Sequence, residues 1–175
     1  MPSREFFTHS SEETIRLGRE LATELRPPVL VCLDGELGAG KTTLAKGIIS
    51  GLGVAREEDV TSPTFTLVHV FRKESPVIPS AARLFSAAVS AANLSSLKVF
   101  HVDLYRVADR HDLETLGLED LFAEAAIVLV EWPDRMKIRT DWPVVQIRLE
   151  HGEADSRRIF VTEPAAPEAS GLVSL

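Results

Sequence analysis

An α/β fold of the P-loop NTPase kind, with a mostly parallel central sheet flanked by helices, is what this sequence predicts. Three observations carry that prediction. Gly35-Glu36-Leu37-Gly38-Ala39-Gly40-Lys41-Thr42 matches G-x-x-x-x-G-K-[ST], the phosphate-binding loop of nucleoside triphosphatases. An apolar run, Val29-Leu30-Val31-Cys32-Leu33, precedes it, and Leu44, Ala45, Ile48 and Ile49 follow at helical spacing, so the loop joins a strand to a helix. Two further runs, Val99-Phe100-His101-Val102 and Ile127-Val128-Leu129-Val130, read as buried strands that end in acids, Asp103 and Glu131. Strands alternating with helices imply a parallel sheet covered on both faces. In such sheets ligands bind beyond the carboxyl ends of the strands, where the loop and both acids converge.

The remaining elements follow in order. Ser10 with Glu13 three residues later reads as a capping box, and Ile15, Leu17, Leu21, Ala22 and Leu25 supply the apolar face of a helix that stops at Pro27-Pro28. The first strand, the loop and a second helix over 42–52 come next. After Pro63 the pattern turns to β, with Phe65, Leu67, Val68, Val70 and Phe71. Residues 75–96 are rich in Ser and Ala and nearly free of charge. Leu84, Phe85, Ala88, Val89 and Ala92 still form a helical stripe there, so a short inserted helix is expected, with a loop as the alternative. Residues 112–122 read as a helix interrupted near Gly117. Residues 144–150 and 158–161 read as two late strands compatible with a hairpin across Gly152. The stretch 164–175, rich in Pro, Ala and Ser, is expected to be a disordered tail, which leaves one P-loop domain over residues 1–163.

Composition narrows the function classes. A chain of 175 residues can bury one real core but not two ordinary ones. A net charge of −7 argues against general affinity for nucleic acid, which requires a basic surface. The local groups Arg106 with Arg110, and Arg135 with Lys137 and Arg139, read as solvated charges. One cysteine, Cys32, excludes an intrachain disulfide and reads as a buried thiol. Residues 1–8 lack the basic start and apolar stretch of a secretory signal, and no run approaches a membrane span. A cytoplasmic protein with no membrane contact is the expectation.

The chemistry concentrates around the loop. Gly35, Gly38 and Gly40 allow the backbone, Ala39 included, to curl so that its N–H groups face phosphate oxygens. The following helix adds the positive end of its dipole. Lys41 is positioned to reach the β- and γ-phosphates, and the Thr42 hydroxyl to ligate Mg²⁺. Thr43 is a weaker candidate for the α-phosphate, with ordinary helix packing as the alternative. Asp103 and Glu131 suit a metal that takes oxygen ligands directly or through water. Spacing leaves open which of them touches the ion and which positions the attacking water. Thr61-Ser62-Pro63-Thr64-Phe65-Thr66 packs four hydroxyls around one proline, and beside a phosphate loop it reads as a segment ordered by the γ-phosphate, with Thr64 as the contact. Trp132 follows Glu131 and either packs or faces the nucleotide region or a partner. His69 and His101 read as core or surface residues. No N-K-x-D-like segment for guanine is present, so adenine is expected.

Taken together, Gly-Glu-Leu-Gly-Ala-Gly-Lys-Thr-Thr, Thr-Ser-Pro-Thr-Phe-Thr-Leu-Val, Phe-His-Val-Asp-Leu-Tyr-Arg, Leu-Gly-Leu-Glu-Asp and Val-Glu-Trp-Pro, in that order, resemble the bacterial TsaE family. These are small P-loop ATPases of the pathway that makes threonylcarbamoyladenosine (t6A) in tRNA, and the likeness runs from about Thr14 to Arg158. The resemblance implies an ATPase whose hydrolysis supports turnover of a TsaB- and TsaD-like complex, the TsaD-like partner carrying out the transfer to tRNA. It also implies Thr42 and Glu131 as Mg²⁺ ligands, Asp103 as the strand-end acid and Trp132 as the tryptophan beside the site. Ser11 and either Arg157 or Arg158 would approach ATP, with Arg158 taken for the ATP-binding set. Residues 75–96 depart from the family, being longer than its usual turn.

The catalytic set expected is therefore Lys41, Thr64, Asp103 and Glu131, with Mg²⁺-ATP as ligand. No arginine finger is evident, so hydrolysis should be slow alone and faster with partners. Two alternatives remain. A small-molecule kinase would pass phosphate to a metabolite, and an assembly switch would bind ATP without needing to hydrolyse it.

Overall fold

The computed structural model describes residues 3–64, 66–73, 97–107, 124–135 and 140–163. The expected inserted helix within 75–96, the helix over 112–122 and the tail over 164–175 lie outside the described residues. The described chain runs β1 (Ser3–Thr8), α1 (Ser11–Ala22), β2 (Val29–Gly35), α2 (Lys41–Gly51), β3 (Val68–Arg72), β4 (Lys98–Asp103), β5 (Ile127–Glu131), β6 (Val144–His151) and β7 (Arg157–Thr162). All seven strands form one sheet in the order β1-β7-β6-β2-β5-β4-β3.

The centre is parallel, as expected: β2 pairs with β5 and β6, and β4 pairs with β5, all in the same direction. The margins differ. β3 joins β4, β7 joins β6 and β1 joins β7 in antiparallel fashion. β5 is buried along its whole length, which is why Ile127 to Val130 read as an unbroken apolar run. β1 was not legible in the sequence. It is six residues long, alternates exposed with partly buried positions, and pairs Ser3 to Thr8 with Thr162 to Arg157.

Helix α1 begins as the capping pattern requires, with Ser10 Oγ accepting from the Glu13 N–H at 3.2 Å. The Glu13 carboxylate accepts from the His9 N–H at 2.8 Å, one residue earlier than the usual box. Leu17, Leu21, Leu44 and Ile48 of the two helices pack with Val29, Val31, Leu33, Ile127, Leu129 and Ile147 on one face of the sheet. The opposite face carries a second cluster, Leu30, Val102, Val128 and Val130 with Leu104, Val107, Trp132 and Trp142. Among the described residues both helices lie on the first face, so the expected helix cover of both faces is described for one of them.

The helices touch backbone to backbone. A methyl group on Gly47 would sit 2.2 Å from the Ile15 carbonyl oxygen, and one on Gly18 would sit 2.6 Å from that of Leu44. That approach seats α2, and with it the phosphate loop, firmly on α1 and the sheet. No described helix is long and apolar enough to cross a membrane.

Candidate nucleotide site

β2 ends at Gly35 and α2 begins at Lys41, so the intervening turn is the glycine loop and its helix opens directly onto it. Gly35, Gly38 and Gly40 have φ of 146°, 82° and 99°, values that side chains oppose. At Gly40 the constraint is also steric, because an added methyl would lie 2.6 Å from Arg157 Nε. Unpaired N–H groups at the start of α2 and its dipole make this an anion-binding concavity.

Lys41 is buried at 5% exposure, and its Nζ donates to the Gly35 and Glu36 carbonyls at 2.6 and 2.8 Å. The ammonium also lies 3.7 Å above the Trp132 ring. Burial holds its pKa below the ordinary lysine value, while the charges of Glu131, Asp103, Asp34 and Asp134 pull it back up. Thr42 Oγ1 donates to Glu131, 2.9 Å from Oε1 and 3.0 Å from Oε2. That contact ties the loop helix to a strand-end acid 89 residues away.

Register explains why the acids meet. Glu131 lies opposite Leu33 of β2 on one side and Asp103 of β4 on the other. Asp103 Oδ2 accepts from Ser62 Oγ at 2.6 Å and Thr64 Oγ1 at 2.7 Å, and Oδ1 accepts from the Tyr105 N–H at 3.0 Å. The hydroxyl segment expected to order near phosphate is thus anchored to the strand-end acid. Trp132 stands at φ 61°, its N–H donating to the Leu33 carbonyl at 3.2 Å, with the Tyr105 ring centroid 5.1 Å away.

Lys41, Thr42, Thr64, Asp103, Glu131 and Trp132 are therefore brought to one rim, around Gly35, Gly38, Ala39 and Gly40. Thr43 is half-buried on α2. Of the two arginines weighed, the structure puts Arg157 at the loop. It is buried, its Nη2 lies 3.5 Å from Ser11 Oγ, and Asp155 holds it through the carbonyl at 2.8 Å and Oδ1 at 2.9 Å. Arg158 points to the other face of β7, paired with Glu5 and lying 4.8 Å from the centre of the Phe160 ring. Strand alternation is the reason: adjacent residues of β7 face opposite sides, so only one of them can reach the loop.

Sequence reasoning did not assign three rim residues. Ser62 and Tyr105 both donate to Asp103, Tyr105 also packs on Trp132, and His101, read as core or surface, is fully buried with Nε2 2.8 Å from Glu131 Oε1. A signal for His101 existed in its parity, since it lies two residues before Asp103 on the same side of β4.

The model of the family described as "Threonylcarbamoyl adenosine biosynthesis protein TsaE" matches residues 8–159. The chain belongs to the TsaE family. Curated relatives agree. The tRNA threonylcarbamoyladenosine biosynthesis protein TsaE of Haemophilus influenzae is 33% identical over 126 residues, covering 69% of this chain and 65% of that one. Its Bacillus subtilis counterpart is 32% identical over 155 residues, covering 89% and 82%. The one from Mycobacterium tuberculosis is 34% identical over 154 residues, covering 85% and 79%. The crystal structure of Bacillus subtilis YdiB superposes with a TM-score of 0.64 at 26% identity, covering 94% of this chain and 87% of that one. Membership of the TsaE family goes with a P-loop ATP-binding protein.

Proposed function

We propose that this TsaE-family chain is a magnesium-dependent ATP hydrolase of tRNA threonylcarbamoyladenosine biosynthesis, acting in the cytoplasm. Hydrolysis supports turnover of a complex with TsaB-like and TsaD-like proteins, and tRNA is met only through that complex. The observation that carries the reading is the Thr42–Glu131 contact, which joins the phosphate loop to a strand-end carboxylate.

The donor set fits Mg²⁺. A hydroxyl and a carboxylate within 3.0 Å of each other are hard oxygen ligands, and this ion is ordinarily held by one or two carboxylates plus phosphates and water. The described residues contain no group of three or more His, Cys, Asp or Glu that would cage a metal alone. Thr42 and Glu131 would hold the ion, which, when bound, offsets negative charge on the β- and γ-oxygens.

The chain's own residues then divide the work. Backbone N–H groups of the glycine loop and α2 grip the phosphates, and Lys41 turns from the Gly35 and Glu36 carbonyls to the γ-phosphate side. Arg157 and Ser11 face the nucleotide from the β7 side. Asp103 holds the Ser62 and Thr64 hydroxyls at the rim, so that Thr64 and Asp103 orient the attacking water. Trp132, beside Lys41, shields that corner from solvent. Catalysis of this kind is positioning and charge stabilisation, with no covalent step by the protein.

The test is ATP turnover by the chain alone and with TsaB-like and TsaD-like partners, followed with γ-labelled ATP. Label should appear as inorganic phosphate, slowly alone and faster with partners, and Glu131→Gln should abolish it. Label transferred to a metabolite would establish a kinase instead. Unimpaired t6A formation by both Asp103→Asn and Glu131→Gln would establish an assembly switch.

A further inference from the structure

His101 has no task in the reading above, yet its setting on β4 is costly. The ring is fully buried between Val99 and Asp103 on the helix-covered face, and Nδ1 has no hydrogen-bond partner among the described residues. An apolar side chain would fill that position without leaving a buried nitrogen unpaired, which is itself destabilising. The contact that offsets it is at Nε2. Register sets His101 opposite Leu129, so the ring reaches diagonally along β5 to Glu131 Oε1 at 2.8 Å. A carboxylate only accepts, so the proton of this contact is on Nε2.

Glu131 needs such a donor. Thr42 offers one proton, spread over both carboxylate oxygens at 2.9 and 3.0 Å. Directly across lies the Asp103 carboxylate, a like charge that favours turning Glu131 away. Asp103 is tied down by Ser62, Thr64 and the Tyr105 N–H. Among the described residues, Glu131 is tied down by Thr42 and His101.

We propose that His101 is a positioning residue for magnesium: its Nε2–H fixes Glu131 Oε1, leaving Oε2 and the Thr42 hydroxyl oxygen as a prepared pair of hard ligands. The proposal rests on the magnesium-nucleotide reading above, and a donor acting on a metal ligand in this way is typically worth 10–100-fold in metal affinity.

The experiment compares His101→Gln, His101→Asn and His101→Leu by the dissociation constant of a fluorescent ATP analogue, in Mg²⁺ and in EDTA. A glutamine amide reaches about as far as Nε2, an asparagine amide only about as far as Nδ1. The ratio of the EDTA to the Mg²⁺ constant should stay within about threefold of wild type in His101→Gln. It should fall about tenfold in His101→Asn and His101→Leu, with the metal-free constant unchanged within about twofold. A packing role would not separate Gln from Asn in this way, and that pair decides the matter if His101→Leu does not fold. Wild-type ratios in His101→Asn, or equal losses in Gln and Asn, overturn the role of His101. If Glu131→Gln lowers the ratio while the His101 variants do not, only this proposal falls. A wild-type ratio near one overturns the magnesium reading and this proposal with it.

Discussion

At the loop rim, Lys41, His101, Asp103 and Glu131 each keep 5% or less of their surface exposed, and every one is held by short contacts to neighbours. At the β1–β7–β6 margin charged residues stand in solvent instead. Arg4 with Glu24, Arg148 with Glu150 and Arg158 with Glu5 form ion pairs whose side chains are 37–59% exposed. The margin thus carries more formal ion pairs and less energetic consequence, because exposed pairs are screened and cost side-chain entropy. Buried charges interact strongly and cannot lose a partner cheaply. Function is expected where charge is buried together, and solubility where it is spread out.

Five substitutions put that contrast under strain. Lys41→Ala should weaken ATP binding about 100-fold, the scale of losing a charge-assisted contact in a dry site, as read by titration calorimetry. Because burial lowers the Lys41 pKa while phosphate favours the ammonium, wild-type affinity should fall as pH rises, beginning below the range of a free lysine. Lys41→Arg, which stays charged, should flatten that fall. Retention of tight binding by Lys41→Ala would remove the rim's claim to be the ATP site.

Gly47→Ala comes next. Its methyl would press on the Ile15 carbonyl from 2.2 Å, and overpacking of this kind costs about 1–3 kcal/mol, measurable by urea unfolding. Arg157→Ala should follow, with ATP binding about tenfold weaker, in keeping with one hydrogen bond to a charged group. Smallest is Arg158→Ala, one residue away. ATP affinity should not move, and the thermal midpoint should stay within about 2 °C. Equal losses from the two arginines would mean that the rim and the margin are not distinct.

Much of the site was readable because local pattern and chemistry coincide there. The glycine loop, the strand before it and the helix after it lie together in sequence, and the acids close two apolar runs. Ser10 was legible as a cap because a cap depends on a neighbour three residues away. The weak elements were those whose stability comes from distant chain. β1 has no apolar run of its own, and pairs with residues about 150 positions later. Arg157 and Arg158 are indistinguishable until the parity of β7 against the loop is known.

Residue order along the chain was sufficient for the class of fold, the glycine loop and the identities of both strand-end acids, since each is written in patterns a few residues long. Folding alone settled that Glu131 is bridged by Thr42 and His101, that Asp103 takes the Ser62 and Thr64 hydroxyls, and that Arg157 is the arginine at the loop. Those outcomes depend on strand register and on two helices in backbone contact, and register is set by the burial of whole faces rather than by any short stretch of sequence.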